Sequence, residues 1–234
     1  MKKLLLILLM PLLALGADQN FTTYIDYDEG EDLTDTASTI TASTVDTRTD
    51  TWYYIKDFTA DYFGNTFKHQ FTLNVSASQN LAYFYFGCLS EVDDGGVNDD
   101  IDDLVNNGDD LMTFRYYEDS GVINITFFLR ESSTTYALAT PIVISKSTDY
   151  FITVERATTQ YTVSVRTVSH GGSHVSNSPQ SVSDGALTSL FRYNWAVSSR
   201  DTASSTTASF TFADYDVDLP TTSVPIIMYN RRLH

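Results

Sequence analysis

Apolar and polar residues alternate along most of the chain with a period of two, the repeat of a half-buried β-strand. The alternation is cleanest in GVINITFFLR, 121–130, where Ile123, Ile125, Phe127 and Leu129 share one face. That stretch follows LMTFRYY, 111–117, across Glu118-Asp119-Ser120-Gly121, which predicts a hairpin. LAYFYFGCL, 81–89, is apolar on both faces, with Ala82, Phe84, Phe86 and Cys88 on one and Leu81, Tyr83 and Tyr85 on the other, as in a central strand. Further strands are predicted at 21–27, 34–50, 52–58, 67–76, 136–144, 149–156, 160–168, 190–198 and 206–217, with a turn at Gly64-Asn65 and a Gly/Ser loop over 170–185. The Thr-rich stretch 34–50 lacks proline and reads as an exposed edge strand. One stretch breaks the period: Val97, Ile101, Leu104 and Val105 form a helical stripe within 97–107, with Asp99 and Asp100 at its N-terminal end and Gly108 at C′. About a dozen strands joined by short polar turns, with no fixed repeat or dividing linker, predict an all-β fold: a two-sheet antiparallel jelly-roll sandwich with one short helix. Phe84, Phe86, Ile123, Ile125, Phe127, Val163 and Val165 are its expected core.

Composition sharpens this reading. The 234 residues include 31 Thr, 24 Ser, 15 Tyr and 14 Phe, and of these the Thr, Tyr and Phe favour pleated sheets. Lys and Arg number 14 against 30 Asp and Glu, for a net charge of −16. Such a chain lacks the cations that phosphate backbones and anionic membranes require, which argues against a nucleic-acid or membrane partner. The single Cys leaves no intrachain disulfide and no Cys-rich zinc site.

The two ends differ from the body. In MKKLLLILLMPLLALGA, 1–17, two lysines precede an aliphatic run and small residues at Ala14 and Gly16. This order predicts a signal peptide over 1–16, with the mature chain starting at Ala17, or at Asp18 if cleavage slips by one. The sandwich is expected over 17–219, secreted or on a virion surface and without membrane attachment after cleavage. The tail 220–234, PTTSVPIIMYNRRLH, still carries Val224, Ile226, Ile227, Met228 and Tyr229 beside Arg231 and Arg232. Two fates are open to it: docking on its own domain, or adding to a neighbouring subunit as a contact segment.

Candidate chemistry is sparse. The segment 93–110 holds eight Asp and no base, so Asp93, Asp94 and Asp99 are calcium candidates; the other reading is a solvated helix with its flanking turns. No other cofactor is expected. His170 and His174 share a Gly/Ser loop without a nearby carboxylate or Cys, and read as loop residues. There is no G-x-S-x-G elbow, G-x-G-x-x-G or P-loop. Tyr83, Tyr85, Arg115 and Tyr117 should lie on the face opposite Phe84 and Phe86, where flat side chains with polar tips can stack on a sugar and hydrogen-bond it. Arg192 and Asn194 alternate with Phe191, Tyr193 and Trp195 and are expected to face away from them, toward the same ligand.

The stretch TDYFITVERATTQYTVSVRT, 148–167, resembles the strand–turn–strand hairpin of the concanavalin A-like lectin/glucanase sandwich, a group that includes laminin G-type domains. FTFADYDVDL, 210–219, resembles its closing strand. KDFTADYFGNTFKHQFTLNVSA, 56–77, is similar to sandwiches of unassigned function in phage and metagenomic sequences. The resemblance implies a jelly-roll fold and a role in glycan binding, calcium binding, β-glucan hydrolysis or structural support. The glucanases of this family carry Glu-x-Asp-x-x-Glu; here only Glu91 and Asp93 match, so the resemblance implies a non-catalytic member. Two roles follow: an exported, glycan-binding or adhesive module, or a self-assembling subunit of a fibre or surface layer joined through a terminal segment.

Overall fold

Sixteen strands follow the period-two pattern in the computed structural model, which describes residues 17–93, 100–200 and 204–217. In chain order they are β1 (Ala17–Asp18), β2 (Ile25–Asp28), β3 (Leu33–Asp35), β4 (Thr39–Asp46), β5 (Trp52–Asp57), β6 (Thr66–Ser78), β7 (Tyr83–Ser90), β8 (Leu111–Asp119), β9 (Val122–Glu131), β10 (Thr134–Ala137), β11 (Ile142–Ile144), β12 (Tyr150–Ala157), β13 (Gln160–Thr167), β14 (Gln180–Ser183), β15 (Tyr193–Ser198) and β16 (Thr207–Val217). A single α-helix among the described residues, α1 (Ile101–Asn107), interrupts them between β7 and β8. Sheet I runs β14-β13-β12-β6-β16-β4-β3, with β1 also on β16; sheet II runs β10-β9-β8-β7-β15-β5-β2, with β11 also on β9. Every strand pairing is antiparallel.

The inward faces of the two sheets make one apolar core, and all seven expected core residues lie in it. Aromatics from both sheets interlock there: Phe84 of sheet II stacks on Phe210 of sheet I with ring centres 4.5 Å apart, and Phe71 meets Phe114 edge-on at 5.4 Å. Burial of this many large rings is the main stabilising contribution to the sandwich.

Four predicted elements are corrected. Residues 21–27 are not one strand: Phe21–Thr23 is a 3₁₀ turn in which the Asn20 side chain caps the Thr22 amide, and only then does β2 begin. The 34–50 stretch divides into β3 and β4, because the Thr36 hydroxyl accepts from the amides of Ser38 and Thr39 and closes a turn. The 136–144 strand splits into β10 and β11 about Pro141, which has no N–H to give a ladder. The loop 170–185 contains β14.

Cys88 lies on the opposite face from that predicted. It packs with the outer layer of sheet II while Phe84 and Phe86 point inward, because the register shifts between Phe86 and Leu89. Gly87 makes the bulge at φ 57°, and a Cβ built there would sit 2.8 Å from the Phe71 ring.

Two buried polar constructions tie the sandwich together. Asn194 Nδ2 donates to the Tyr215 hydroxyl at 2.6 Å, the Tyr24 hydroxyl donates to Asn194 Oδ1 at 2.9 Å, and His69 Nδ1 lies 3.3 Å from the Tyr215 hydroxyl. Arg156, also buried, gives its guanidinium to four backbone carbonyls: Thr158 at 2.9 Å, Gly64 at 3.4 Å, Ser189 at 2.5 Å and Leu187 at 3.1 Å.

Candidate functional site

The outer face of sheet II carries a second apolar layer. Tyr53, Ile55, Tyr83, Tyr85, Cys88, Leu111, Phe128, Tyr193 and Trp195 form it, and α1 closes over it through Ile101 and Leu104. The helix is placed by its caps. Asp100 accepts from the amides of Asp102 at 2.7 Å and Asp103 at 3.2 Å, and the Ser199 hydroxyl donates to its other oxygen at 3.2 Å. The Ile101 amide donates to Ser198 Oγ at 3.1 Å, which pins the first turn to the end of β15. At the other end Gly108 takes the left-handed conformation, φ 91°, that terminates the helix.

Four of the predicted ligand residues come together, in a different arrangement from the open groove expected. Tyr83 and Tyr85 are buried under α1, with hydroxyls 3.3 Å apart. The Tyr85 hydroxyl donates to Asp102 Oδ1 at 2.7 Å. Burial, with Tyr83 and Asp102 beside it, pushes the Tyr85 phenol well up, so it remains a donor. Arg115 Nη1 donates to the Tyr83 hydroxyl at 3.1 Å and Nε to Thr126 Oγ1 at 3.0 Å. Tyr117 is half-buried, its ring 5.8 Å from that of Tyr83. Arg200 lies 4.1 Å over the Tyr83 ring and pairs with Asp102 at 3.3 Å.

The other predicted residues lie elsewhere. Arg192 forms a two-pronged pair with Asp57, at 2.7 and 2.6 Å, which holds the Asp57 carboxyl down to about 2. Asn194 points into the sandwich interior, because the hydroxyls of Tyr24 and Tyr215 satisfy it there. Asp93 is exposed, and no group of three metal-binding side chains occurs among the described residues; Asp94 and Asp99 lie outside them. So do the signal segment 1–16 and, in the tail, Val224, Ile226, Ile227, Met228 and Tyr229. His170 faces Thr153 at 3.3 Å and His174 faces Ser178 at 3.4 Å, each with its own neutral partner.

Beside the buried tyrosines a cleft of ≈ 380 Å³ opens on the same face. It forms where the chain leaves the edge of β9 between β10 and β11. Arg115, Thr126 and Phe128 make its floor, Val105 of α1 one wall, and Thr135, Ala137, Leu138 and Pro141 the other. Strand alternation puts Thr126 and Phe128 on one face of β9, and register sets Arg115 directly opposite Thr126. A floor that combines a guanidinium, a hydroxyl and the exposed part of a largely buried ring, between apolar walls, can pack against a sugar and hydrogen-bond its substituents. Of these residues only Arg115 was expected from sequence. Thr126 and Phe128 read there only as positions on a strand, and the wall residues carry no signal until the strand breaks at Pro141.

The cleft's charge is unusual for so acidic a chain. Among the described residues its lining holds one cation and no carboxylate. The ion pairs among the described residues are Lys68–Glu155, Lys146–Glu118, Arg192–Asp57 and Arg200–Asp102, and Arg115 is in none of them.

No protein-family model and no curated protein sequence matches the chain. Solved structures share its fold. A functionally unknown protein from Saccharomyces cerevisiae is 11% identical with a TM-score of 0.52, over 86% of this chain and 99% of its own. Lectin II from Ulex europaeus is 9% identical with a TM-score of 0.51, over 86% and 95%. The enzymatically active domain of tailspike protein 2 from bacteriophage CBA120 is 12% identical with a TM-score of 0.51, over 90% of this chain and 30% of that one. The two-sheet antiparallel sandwich is therefore a fold that this chain has in common with a legume lectin and part of a phage tailspike.

Proposed function

We propose that this chain is a non-catalytic, exported glycan-binding sandwich, and that the cleft floored by Arg115, Thr126 and Phe128 is its binding site. The observation that carries the reading is the cleft itself: a floor presenting the Arg115 guanidinium and the Thr126 hydroxyl beside the largely buried Phe128, with the Thr135 hydroxyl on the facing wall. The fold shared with lectin II supports it as an analogy of architecture. A lining without carboxylates supports binding over hydrolysis, since glycosidases place two carboxyl groups about the scissile bond. Export, to the medium or a virion surface, rests on the order of charged, aliphatic and small residues in 1–17.

A glycan array probed with the mature protein tests this reading. Ala137→Trp, which fills the cleft from its exposed wall, abolishes the binding that the unaltered protein shows. Silence across a broad array, or binding that survives Ala137→Trp, overturns the site.

One observation favours a second role beside this one. The last described strand of sheet I ends at Val217, which is paired on both sides, with Ala17 and His69, so a chain continuing past it cannot add to β16 at that point. In this second proposal the tail joins subunits. Deleting 221–234 then dissociates assemblies on size-exclusion chromatography, and a mature protein that is monomeric at high concentration removes the idea.

A further inference from the structure

We infer that the cleft selects acidic glycans, with the carboxylate of a hexuronate unit bound by Arg115; this rests on the reading of the cleft as a glycan site. The chain has 30 acidic residues for 14 basic ones, so an arginine could readily have been given a carboxylate partner. Two guanidiniums lie against the Tyr83 ring, Arg200 at 4.1 Å and Arg115 at 5.3 Å. Arg200, away from the cleft, is neutralised by Asp102. Among the described residues, Arg115, in the cleft floor, is held only by neutral oxygens, Thr126 Oγ1 and the Tyr83 hydroxyl. A guanidinium has five N–H donors. These two bonds fix its plane and leave both N–H groups of Nη2 and one of Nη1 for a ligand.

That remaining fork has the geometry that a carboxylate accepts with both oxygens, and such charge-assisted pairs are roughly twice as strong as neutral hydrogen bonds. The ring of the same sugar would then lie over Phe128, with Thr135 on the far wall in reach of its hydroxyls. The negative charge of the body does not forbid this. A contact pair is far shorter than the Debye length of about 8 Å at physiological salt, so distant carboxylates are screened while the pair is not. A neutral sugar could fill the same space, but it would leave the guanidinium without a counter-charge, and selectivity arises from that difference.

Isothermal titration of the mature protein with tetragalacturonate, tetramannuronate and their carboxyl-reduced counterparts tests the inference. At least one uronate tetramer is expected to bind about tenfold more tightly than its reduced form. Arg115→Gln should bring the uronate down to the level of the reduced sugar, with the thermal midpoint showing that the fold persists. Thr135→Glu sets a negative charge on the wall and is read against Thr135→Gln, which removes the same hydroxyl without adding charge; relative to Thr135→Gln it should weaken uronate binding by a similar factor and bind the reduced sugar equally well. Equal affinity for charged and reduced tetramers overturns the acidic preference while the glycan reading stands. Binding of neutral glycans on an array but of no uronate has the same meaning. Absence of binding to any glycan removes both.

Discussion

The Tyr85 hydroxyl donates to Asp102 Oδ1 over 2.7 Å and so fastens α1 to the central strand of sheet II. Asp102 also receives Arg200, so one carboxylate joins the helix to both β7 and the segment after β15. Tyr85→Phe removes one donor and is expected to cost about 1–2 kcal/mol in urea unfolding. Asp102→Asn takes the charged acceptor from both donors and should cost more. In both variants the amides of 104–108 should exchange faster than in the parent. Unchanged exchange there would mean that Ile101 and Leu104 alone hold the helix.

Gly87 is irreplaceable on geometry. Its φ of 57° strains any L side chain, and a Cβ would sit 2.8 Å from two carbons of the Phe71 ring. Gly87→Ala should cost about 2–4 kcal/mol by strain and crowding together. Gly121, at φ 81° with open space around it, should tolerate Ala at the lower end of the strain cost, about 1 kcal/mol. Equal losses in chemical denaturation would show that the Phe71 contact is unimportant.

Phe127 lies at the centre of the core, its ring 4.9 Å from Phe114 and 6.1 Å from Tyr161. Phe127→Ala is expected to destabilise by about 3–5 kcal/mol, read from the urea midpoint at constant m-value. A loss under about 1 kcal/mol would contradict a close-packed interior at this point.

His69 makes stability depend on pH. Burial among Phe63, Phe67 and Tyr215 lowers its pKa from 6.5 to about 3. Between those values the unfolded chain binds a proton that the folded chain refuses, so this group's contribution is complete above about pH 6.5 and declines as pH falls toward 3. Its slope reaches at most about 1.4 kcal/mol per pH unit. His69→Phe keeps a ring in the site and removes the titration. The difference in unfolding free energy between parent and variant should shift by several-tenths of a kcal/mol or more from pH 7 to pH 5, in favour of the variant at the lower pH. A difference independent of pH would indicate that His69 is hydrated or titrates normally.

The fold was legible wherever alternation met no irregularity. Ile123, Ile125 and Phe127 need only a straight strand to reach the core, and they do. Cys88 was misassigned because one bulge reverses every side chain beyond it, and the Gly that makes the bulge looks like any other in sequence. Asn194 was expected on the ligand face because it alternates with Tyr193 and Trp195; the alternation holds, but those two rings lie in the outer layer of sheet II, so Asn194 turns inward. Its burial depends on hydroxyls 170 and 21 residues away, which no local pattern reveals. For the cleft, the facing of Arg115 and Tyr117 could be read from β8 alone. That α1 would cover Tyr83 and Tyr85, and that β9 would lose its neighbour beyond Ala137, are tertiary facts.

The four carbonyls around Arg156 impose a constraint that is blind to side-chain identity. Residues 187 and 189 serve the guanidinium through backbone oxygen alone, so substitution there leaves the acceptors in place. Spacing is different: one residue inserted or deleted between 184 and 191 displaces those oxygens and strands a charge that forms no ion pair among the described residues. This end of the sandwich should therefore hold its loop length fixed, where surface loops ordinarily vary, while residue identity there answers to separate contacts such as the burial of Leu187 in the core.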